Sequence, residues 1–415
     1  MTNDVITFGC RLNFYETEII KKCLDKSNKK NTIVINSCAV TNEAERQVRQ
    51  TIRRVHRENT DKDIIVVGCA VNFNRDEYLS LPGVVKVLTN AEKLNYSSYA
   101  DNITEDDEII IDNNKLKNEM VSFIDRSRAF IQIQNGCNHE CTFCMITHVR
   151  GDNVSTPHED IIYQIKRLVD NGHNEVVLTG VDITDYGLDL PQPMSLGILV
   201  DKILEYNPNL KRLRLSSVDV AEIDDLLFSL LQKHPRLMPY IHMSLQSGNN
   251  MILKRMKRRH NREQVIEFYK TISLERNITF GADIIAGFPT ETDEMFMDTF
   301  NLVKECNIIF THIFPFSPKS GTPAARMPQV ENSIKKDRAK QLRRLKETMI
   351  FDYYLSQKDR EHNIIIEKNN IGRSEDFSLV HLEESDLIYK ERDILKVKII
   401  DANNNHLVGV PLKII

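Results

Sequence analysis

Three cysteines fall within eight residues, in Cys137-Asn138-His139-Glu140-Cys141-Thr142-Phe143-Cys144, just after the strand-like run Ala129 to Gln134. No other stretch restricts the chain so much, because three soft ligands on one short loop call for a shared inorganic centre at the end of a strand. An iron–sulfur cube takes four protein ligands, so a loop offering three leaves one iron open to a small molecule. Zinc is the competing reading. It would need His139 or a remote residue as a fourth ligand, and structural zinc usually pairs cysteines well separated in sequence. The expectation is a cluster.

A chain of 415 residues with 41% hydrophobic content is expected to form two or three domains. There is no run of about 18 apolar residues, and the start MTNDVITFG lacks the features of a secretory leader. A soluble cytoplasmic protein with no membrane partner is expected. Eight cysteines are too sparse for a disulfide scaffold, which favours metal ligation in a reducing compartment. Net charge is −4, yet three local runs are basic: Lys254 to Arg259, Lys335 to Lys346, and Arg46, Arg49, Arg53, Arg54 and Arg57. Singly such runs are solvated faces; three together point to a polyanionic partner.

Residues 1–95 alternate strand-like runs (Val5 to Phe8, Thr32 to Ile35, Asp63 to Val67, Val84 to Leu88) with helical stretches (Phe14 to Lys26, Glu43 to Arg57, Asn74 to Leu81). That rhythm predicts a small parallel α/β sheet. Cys10, Cys38 and Cys69 each follow one of the first three strand runs. Ligands of open parallel sheets gather at the carboxyl ends of strands, so these three are expected to hold a second three-ligand cluster. The alternative is three small buried residues. Cys23, sharing a helical face with Ile19 and Ile20, and Cys306, at helical spacing from Leu302 and Val303, are expected to be core.

Residues 96–126 are polar and acidic and read as a linker, with one short apolar run at Ile109 to Ile111. Across 127–330 the strand-like runs are Ala129 to Gln134, Glu175 to Gly180, Lys211 to Ser216, Tyr240 to Gln246, Ile278 to Ala286 and Ile308 to Phe316. These six β/α steps predict an incomplete (β/α)6 barrel. Strand alternation places Gln132, Gln134, Arg214, Ser216, His242, Ser244 and Gln246 in the lumen, with Thr179 and Asp283. A closed barrel packs its lumen with branched apolar side chains, so a polar one is expected to hold a ligand. The turn Gly287-Phe288-Pro289-Thr290-Glu291 enters a helix whose first N–H groups could bind a carboxylate or ribose hydroxyl. A basic connecting helix is expected over 331–354. In 355–415 the short runs Asn363 to Glu367, Phe377 to Leu382, Ile394 to Ile400 and Leu407 to Ile414 read as a small β-barrel. This tail carries nine Lys+Arg against eleven Asp+Glu, so its charge gives no support to RNA binding.

Together these motifs resemble the methylthiotransferases, a radical S-adenosylmethionine family. Thr7-Phe8-Gly9-Cys10-Arg11-Leu12-Asn13, Asn36-Ser37-Cys38-Ala39-Val40-Thr41 and Val67-Gly68-Cys69 are similar to its N-terminal cluster motifs. Gln134 to Cys144 is similar to its radical motif and 355–415 to its TRAM domain, so the likeness runs nearly end to end. The chain departs from the pattern at Met145-Ile146-Thr147-His148-Val149-Arg150-Gly151, where relatives carry a proline and an aromatic residue before Ala-Arg-Gly. It also lacks a glutamine in Cys69-Ala70-Val71-Asn72 and a glycine near Gln357-Lys358. Leu178-Thr179-Gly180-Val181, Ser244-Leu245-Gln246-Ser247-Gly248 and Gly321-Thr322-Pro323-Ala324-Ala325-Arg326-Met327 are most similar to the branch acting on N6-threonylcarbamoyladenosine beside the tRNA anticodon.

The resemblance implies a radical 4Fe–4S cluster on Cys137, Cys141 and Cys144, whose open iron holds S-adenosylmethionine and splits it to a 5′-deoxyadenosyl radical. It implies an auxiliary 4Fe–4S cluster on Cys10, Cys38 and Cys69 that supplies sulfur to C2 of the adenine, with a methyl group from a second S-adenosylmethionine. Phe143 is implied beside the cofactor adenine, and Thr179, Gly180, Arg214 and Gln246 as further S-adenosylmethionine contacts. The implied partners are a tRNA anticodon loop and an electron donor such as flavodoxin or ferredoxin; the sulfur donor is not implied. The alternatives are an isopentenyladenosine tRNA or a ribosomal-protein aspartate as substrate, or a non-catalytic iron–sulfur or zinc RNA-binding protein.

Overall fold

In the computed structural model, which describes residues 4–27, 29–100, 123 and 126–415, the leading alternation becomes a four-stranded parallel sheet in sequential order. Its elements are β1 (Asp4–Thr7), α1 (Arg11–Lys26), β2 (Thr32–Ser37), α2 (Asn42–Glu58), β3 (Asp63–Gly68), α3 (Cys69–Phe73), α4 (Arg75–Leu79) and β4 (Val84–Leu88). Strand β2 is buried along its whole length, as a central parallel strand covered on both faces must be. Helix α2 starts on Thr41, whose side chain accepts from Ala44 N, and carries Glu43 and Glu45 in its first turn and Arg57 in its last. That charge order suits the helix dipole. The helix expected over Asn74 to Leu81 is α4, and an additional short helix, α3, precedes it; between them Asn74 (φ −149°) leaves the helical region and caps α4 at Glu77 N.

The linker expectation meets anchored ends. Tyr99 and Phe123 are buried, and Phe123 packs edge-on against Phe130 at 5.9 Å. The run Ile109 to Ile111 lies outside the described residues. The central elements are β5 (Arg128–Gln132), β6 (Gln134–Asn135), α5 (Ile146–Arg150), β7 (Val154–Ser155), α6 (His158–Asp170), β8 (Glu175–Thr179), α7 (Leu196–Tyr206), β9 (Arg212–Leu215) and α8 (Asp225–Lys233). They continue as β10 (Tyr240–Gln246), α9 (Asn250–Met256), α10 (Arg262–Ile272), β11 (Thr279–Ala286), α11 (Asp293–Glu305) and β12 (Ile308–Pro315). Two parallel sheets, β5-β8-β9 and β10-β11-β12, meet at single bridges, Leu213 to Leu237 and Val218 to Met243, and make a six-step incomplete barrel. One apolar core spans the first sheet and the barrel, joining Tyr15, Ile19 and Ile20 of α1 to Ile131 of β5 and Ile161 and Ile165 of α6. Cys23 and Cys306 are fully buried, the core positions expected.

Helix α12 (Asn332–Ser356) leads to a closed barrel of β13 (Glu361–Ile366), β14 (Ile371–Ser374), β15 (Leu379–Leu382), β16 (Ile394–Ala402) and β17 (Leu407–Ile414). Strand β14 carried no apolar run to announce it. Its Gly372 lies so close to β13 that a Cβ there would come 2.3 Å from Ile364 Cγ2. Phe377, expected to begin a strand, sits in the turn before β15 with φ +75°. Among the described residues no helix is long and apolar enough to cross a membrane.

Candidate metal centres and the lumen between them

Parallel register brings the ends of β1, β2 and β3 to one edge, and the three N-terminal cysteines follow those ends. Cys10 caps α1, Cys38 follows β2 directly, and Cys69 opens α3. Gly9 has φ +99°, and a Cβ on it would lie 2.9 Å from Cys38 Cβ, so glycine is what lets the first loop reach the second. Burial pushes the Cys38 thiol up to about 11, with Cys69 and Cys10 adding to the rise. Thiols gathered at one edge, that of Cys38 hard to ionise, fit a soft cationic centre, which takes the thiolate charge. Asn90 Nδ2 donates to Cys69 Sγ at 3.5 Å and to Val149 O at 2.7 Å, tying the edge to α5.

The second trio is held by backbone. Gly136 has φ +72°, Cys137 N donates to Gly151 O at 3.1 Å, and Thr142 N donates to Met256 O at 3.1 Å. His139 N and Ile146 N each lie 3.4 Å from a cysteine sulfur, Cys137 and Cys144 respectively, and Arg258 Nη1 is 3.5 Å from Cys141 Sγ. Burial lifts the Cys137 thiol to about 12 and that of Cys144 to about 11. Donors aimed at all three sulfurs are what an iron–sulfur centre requires of its surroundings. Phe143 packs edge-on against Phe288 at 6.4 Å, and Phe288 against Phe316 at 5.4 Å, so one wall of the loop is apolar. His139, the zinc alternative's fourth ligand, has Nε2 2.7 Å from Asp185 and 3.8 Å from both Asp182 and Glu222. Cys137, His139 and Asp182 bring donor atoms within 4.8 Å of one another, but that set uses one of the three sulfurs. A zinc there would leave Cys141 and Cys144 unused.

Between the trios runs a buried bridge that sequence reasoning missed. Arg150, at the end of α5, donates to Glu16 Oε1 at 2.9 Å, to Asn13 Oδ1 at 2.7 Å and to Asn135 Oδ1 at 3.0 Å. Lys93 donates to the other oxygen of Glu16 at 2.6 Å, and all three charged side chains are buried. Asn13 and Glu16 belong to the helix that begins beside Cys10; Asn135 and Arg150 bracket the loop of Cys137, Cys141 and Cys144. The one signal in the sequence was Glu16 lying four residues from both Leu12 and Ile20, on an apolar helical face.

The expected lumen residues divide. Gln134 is an anchor: its Nε2 donates to Gly136 O and Asn153 Oδ1, both at 2.6 Å, and its Oε1 accepts from Val181 N and Asp182 N at 2.9 Å. Gly180 is needed beside it, since a Cβ there would lie 2.7 Å from that oxygen. Arg214 is committed elsewhere, to Glu175 at 2.8 Å and to the tail-barrel carbonyls of Ser374 (2.6 Å) and Glu375 (2.8 Å). That engagement removes it from the set around the cysteine loop. Thr179 is buried at the end of β8, and Gln246 is half-buried at a register break in β10 with φ +64°. Ser216 Oγ and Gln132 Oε1 are buried with no protein partner among the described residues. The basic run also divides: Arg258 pairs with Asp219 at 2.6 Å and Arg259 with Asp182 at 2.7 Å, so neither is a solvated charge. The Gly287 to Glu291 turn is closed on itself and on α12, with Gly287 N donating to Glu291 Oε2 at 2.8 Å and Arg338 to the same oxygen at 2.7 Å.

Residues 131–303 match the Radical SAM superfamily, and residues 2–90 match Uncharacterized protein family UPF0004. The threonylcarbamoyladenosine tRNA methylthiotransferase of Rickettsia prowazekii is 46% identical over 92% of this chain and 92% of that one. The chain belongs to the radical S-adenosylmethionine methylthiotransferase family. A Bacillus subtilis methylthiotransferase of the same description is 33% identical over 99% of this chain and 96% of its own. A tRNA-2-methylthio-N(6)-dimethylallyladenosine synthase of Wolbachia pipientis is 28% identical over 97% of this chain and 98% of that one. Among solved structures, a radical S-adenosylmethionine methyltransferase from Kitasatospora setae covers 78% of this chain and 77% of its own with TM-score 0.55. At 12% identity it shares the methylthiotransferase's fold and carries no more.

Proposed function

We propose that this chain is a cytoplasmic tRNA methylthiotransferase that converts N6-threonylcarbamoyladenosine beside the anticodon to its 2-methylthio derivative. It would hold 4Fe–4S clusters on Cys137, Cys141 and Cys144 and on Cys10, Cys38 and Cys69. The observation that carries this reading is the Arg150 bridge, which fixes two cysteine trios relative to each other, as a radical source and a sulfur source acting on one carbon must be fixed. The 46% identity to the Rickettsia enzyme supports the choice of base. When bound, the clusters supply the electron that cleaves S-adenosylmethionine and the sulfur that is inserted.

The chain's own residues position the reactants. Arg258 and the N–H groups of His139 and Ile146 support the thiolates, and Phe143 offers an apolar wall to the cofactor's adenine. Thr179, Gly180 and Gln246 lie at strand ends where S-adenosylmethionine would rest. Exposed Arg53, Arg54 and Arg57 on α2 and Lys336, Lys340, Arg343 and Arg344 on α12 are available to backbone phosphates. A base in a single-stranded anticodon loop can leave its stack at low cost to enter a lumen.

Mass spectrometry of tRNA nucleosides from a strain lacking the gene tests the reading. Loss of the methylthio form of threonylcarbamoyladenosine, restored by the gene, supports it; loss of the dimethylallyl derivative, or no change in any base, moves the substrate to one of the alternatives. With reduced flavodoxin or ferredoxin as electron donor the purified protein should release 5′-deoxyadenosine, and a protein that merely binds RNA would release none.

A further inference from the structure

The floor of the lumen, where the barrel strands begin, is covered by the tail barrel and is crowded with arginine. The guanidinium carbons of Arg11, Arg128, Arg214 and Arg373 lie 5.9, 5.4, 5.4 and 4.7 Å from the centre of the Phe377 ring, which stacks on Tyr240 at 4.6 Å. Two carboxylates serve most of this charge. Glu175 pairs with Arg214 at 2.8 Å and with Arg212 at 3.4 Å; Glu367 pairs with Arg128 at 2.9 Å and lies 3.9 Å from Arg373. Arg11 has no carboxylate and no carbonyl partner among the described residues. The acid that acts on it across the lumen, Asp283, is already shared by His242 at 3.2 Å and His312 at 3.1 Å. Five arginines therefore face four carboxylates, Glu375 acting on Arg212 as the fourth, and the Arg11 guanidinium, left without a direct partner, costs stability unless an anion joins it.

Arg11 directly follows Cys10, so its side chain runs from the N-terminal cysteine trio to the lumen floor. On an adenine ring C2 and C6 are meta positions flanking N1, so the bonds leaving them diverge. A base whose C2 is turned to the cysteines sends its N6 substituent off at an angle to them, along the lumen. In threonylcarbamoyladenosine that substituent ends in a carboxylate; in dimethylallyladenosine it is wholly apolar. We propose that Arg11 is the specificity-determining residue of this enzyme, binding the threonylcarbamoyl carboxylate through paired N–H donors. The proposal rests on the base assigned above.

Anticodon stem-loops carrying threonylcarbamoyladenosine, its methyl ester, or dimethylallyladenosine test it with reconstituted full-length protein and with Arg11→Ala and Arg11→Lys, compared at matched iron content. The parent protein should bind the acid roughly 10- to 100-fold more tightly than the ester, the range a charged hydrogen-bonded pair gives. Arg11→Ala should bind acid and ester alike, and Arg11→Lys should regain part of the difference. Full discrimination retained by Arg11→Ala overturns the proposal. If Arg11→Ala fails to take up iron, the parent protein alone decides, since equal binding of acid and ester also overturns it. A parent protein that methylthiolates acid and ester equally sinks this proposal and spares the functional reading; one that leaves both untouched and modifies the dimethylallyl loop sinks the reading itself.

Discussion

At position 136 a side chain has nowhere to go: a Cβ would lie 1.8 Å from the Asp152 carbonyl, and φ is +72°. Gly136→Ala should therefore dislodge the loop of Cys137, Cys141 and Cys144 while sparing Cys10, Cys38 and Cys69. Iron after anaerobic reconstitution should fall from about eight to about four per chain, as two cubes become one; an iron assay still giving eight would count against the loop geometry. Arg150→Ala should cost about 3 kcal/mol in urea unfolding, since it leaves Glu16 buried with only Lys93. Burial works against the Glu16 carboxylate, but Arg150 and Lys93 outweigh it and hold it below its ordinary 4.5. Glu175 is depressed in the same way, burial being overcome by Arg214 and Arg212. Such groups stabilise the fold above their unfolded value and lose that contribution as pH falls through 4.5 and below. His173 is pushed down to about 4 by burial and then by Arg392, from 6.5, so the unfolded chain takes up its proton first. The urea midpoint should fall as pH drops from 6.5 toward 4 and more steeply below 4.5, and His173→Gln should remove the upper part of that fall. The cysteines were legible because ligand type and spacing are local. The Glu16–Arg150 pair was not, because 134 residues separate its members.

Among the elements, those with a strong period were readable and those set by tertiary contacts were not. Strands β4, β10 and β17 occupy the residues that alternation predicts, whereas β14 is short, polar and dependent on Gly372 for its approach to β13. Alternation tells which face of β9 carries Arg214, but not that the tail barrel closes that end of the lumen and claims the guanidinium. The same contact explains Phe377, which leaves the strand pattern to stack on Tyr240. Phe377→Ala should lower stability by about 1.5–3 kcal/mol, the range for burying such a ring, read from the urea midpoint. A loss near zero would show that the floor does not depend on the ring. Helix α12 was legible as basic, but Arg338 within it is spent on Glu291 and Asp293, both at 2.7 Å, leaving its exposed neighbours for an outside partner.

On the scale of the whole molecule, the leading sheet and the barrel share a core, and α1 contributes to both the inorganic edge and that core. Replacing Cys10, Cys38 and Cys69 by alanine should leave about four irons and continued release of 5′-deoxyadenosine, with no methylthio product by nucleoside mass spectrometry. Retained product would remove the N-terminal trio from the reaction.

The salt-bridged crossing at Glu16 has a practical corollary for protein engineering. A chimera that takes its first ninety or so residues from one homologue and the remainder from another transplants Asn13, Glu16 and Lys93 without Arg150 and Asn135, or the reverse. Such hybrids should be viable only where donor and recipient agree at all five positions, so the seam between the leading sheet and the barrel is better described as a matched lock than as a joint.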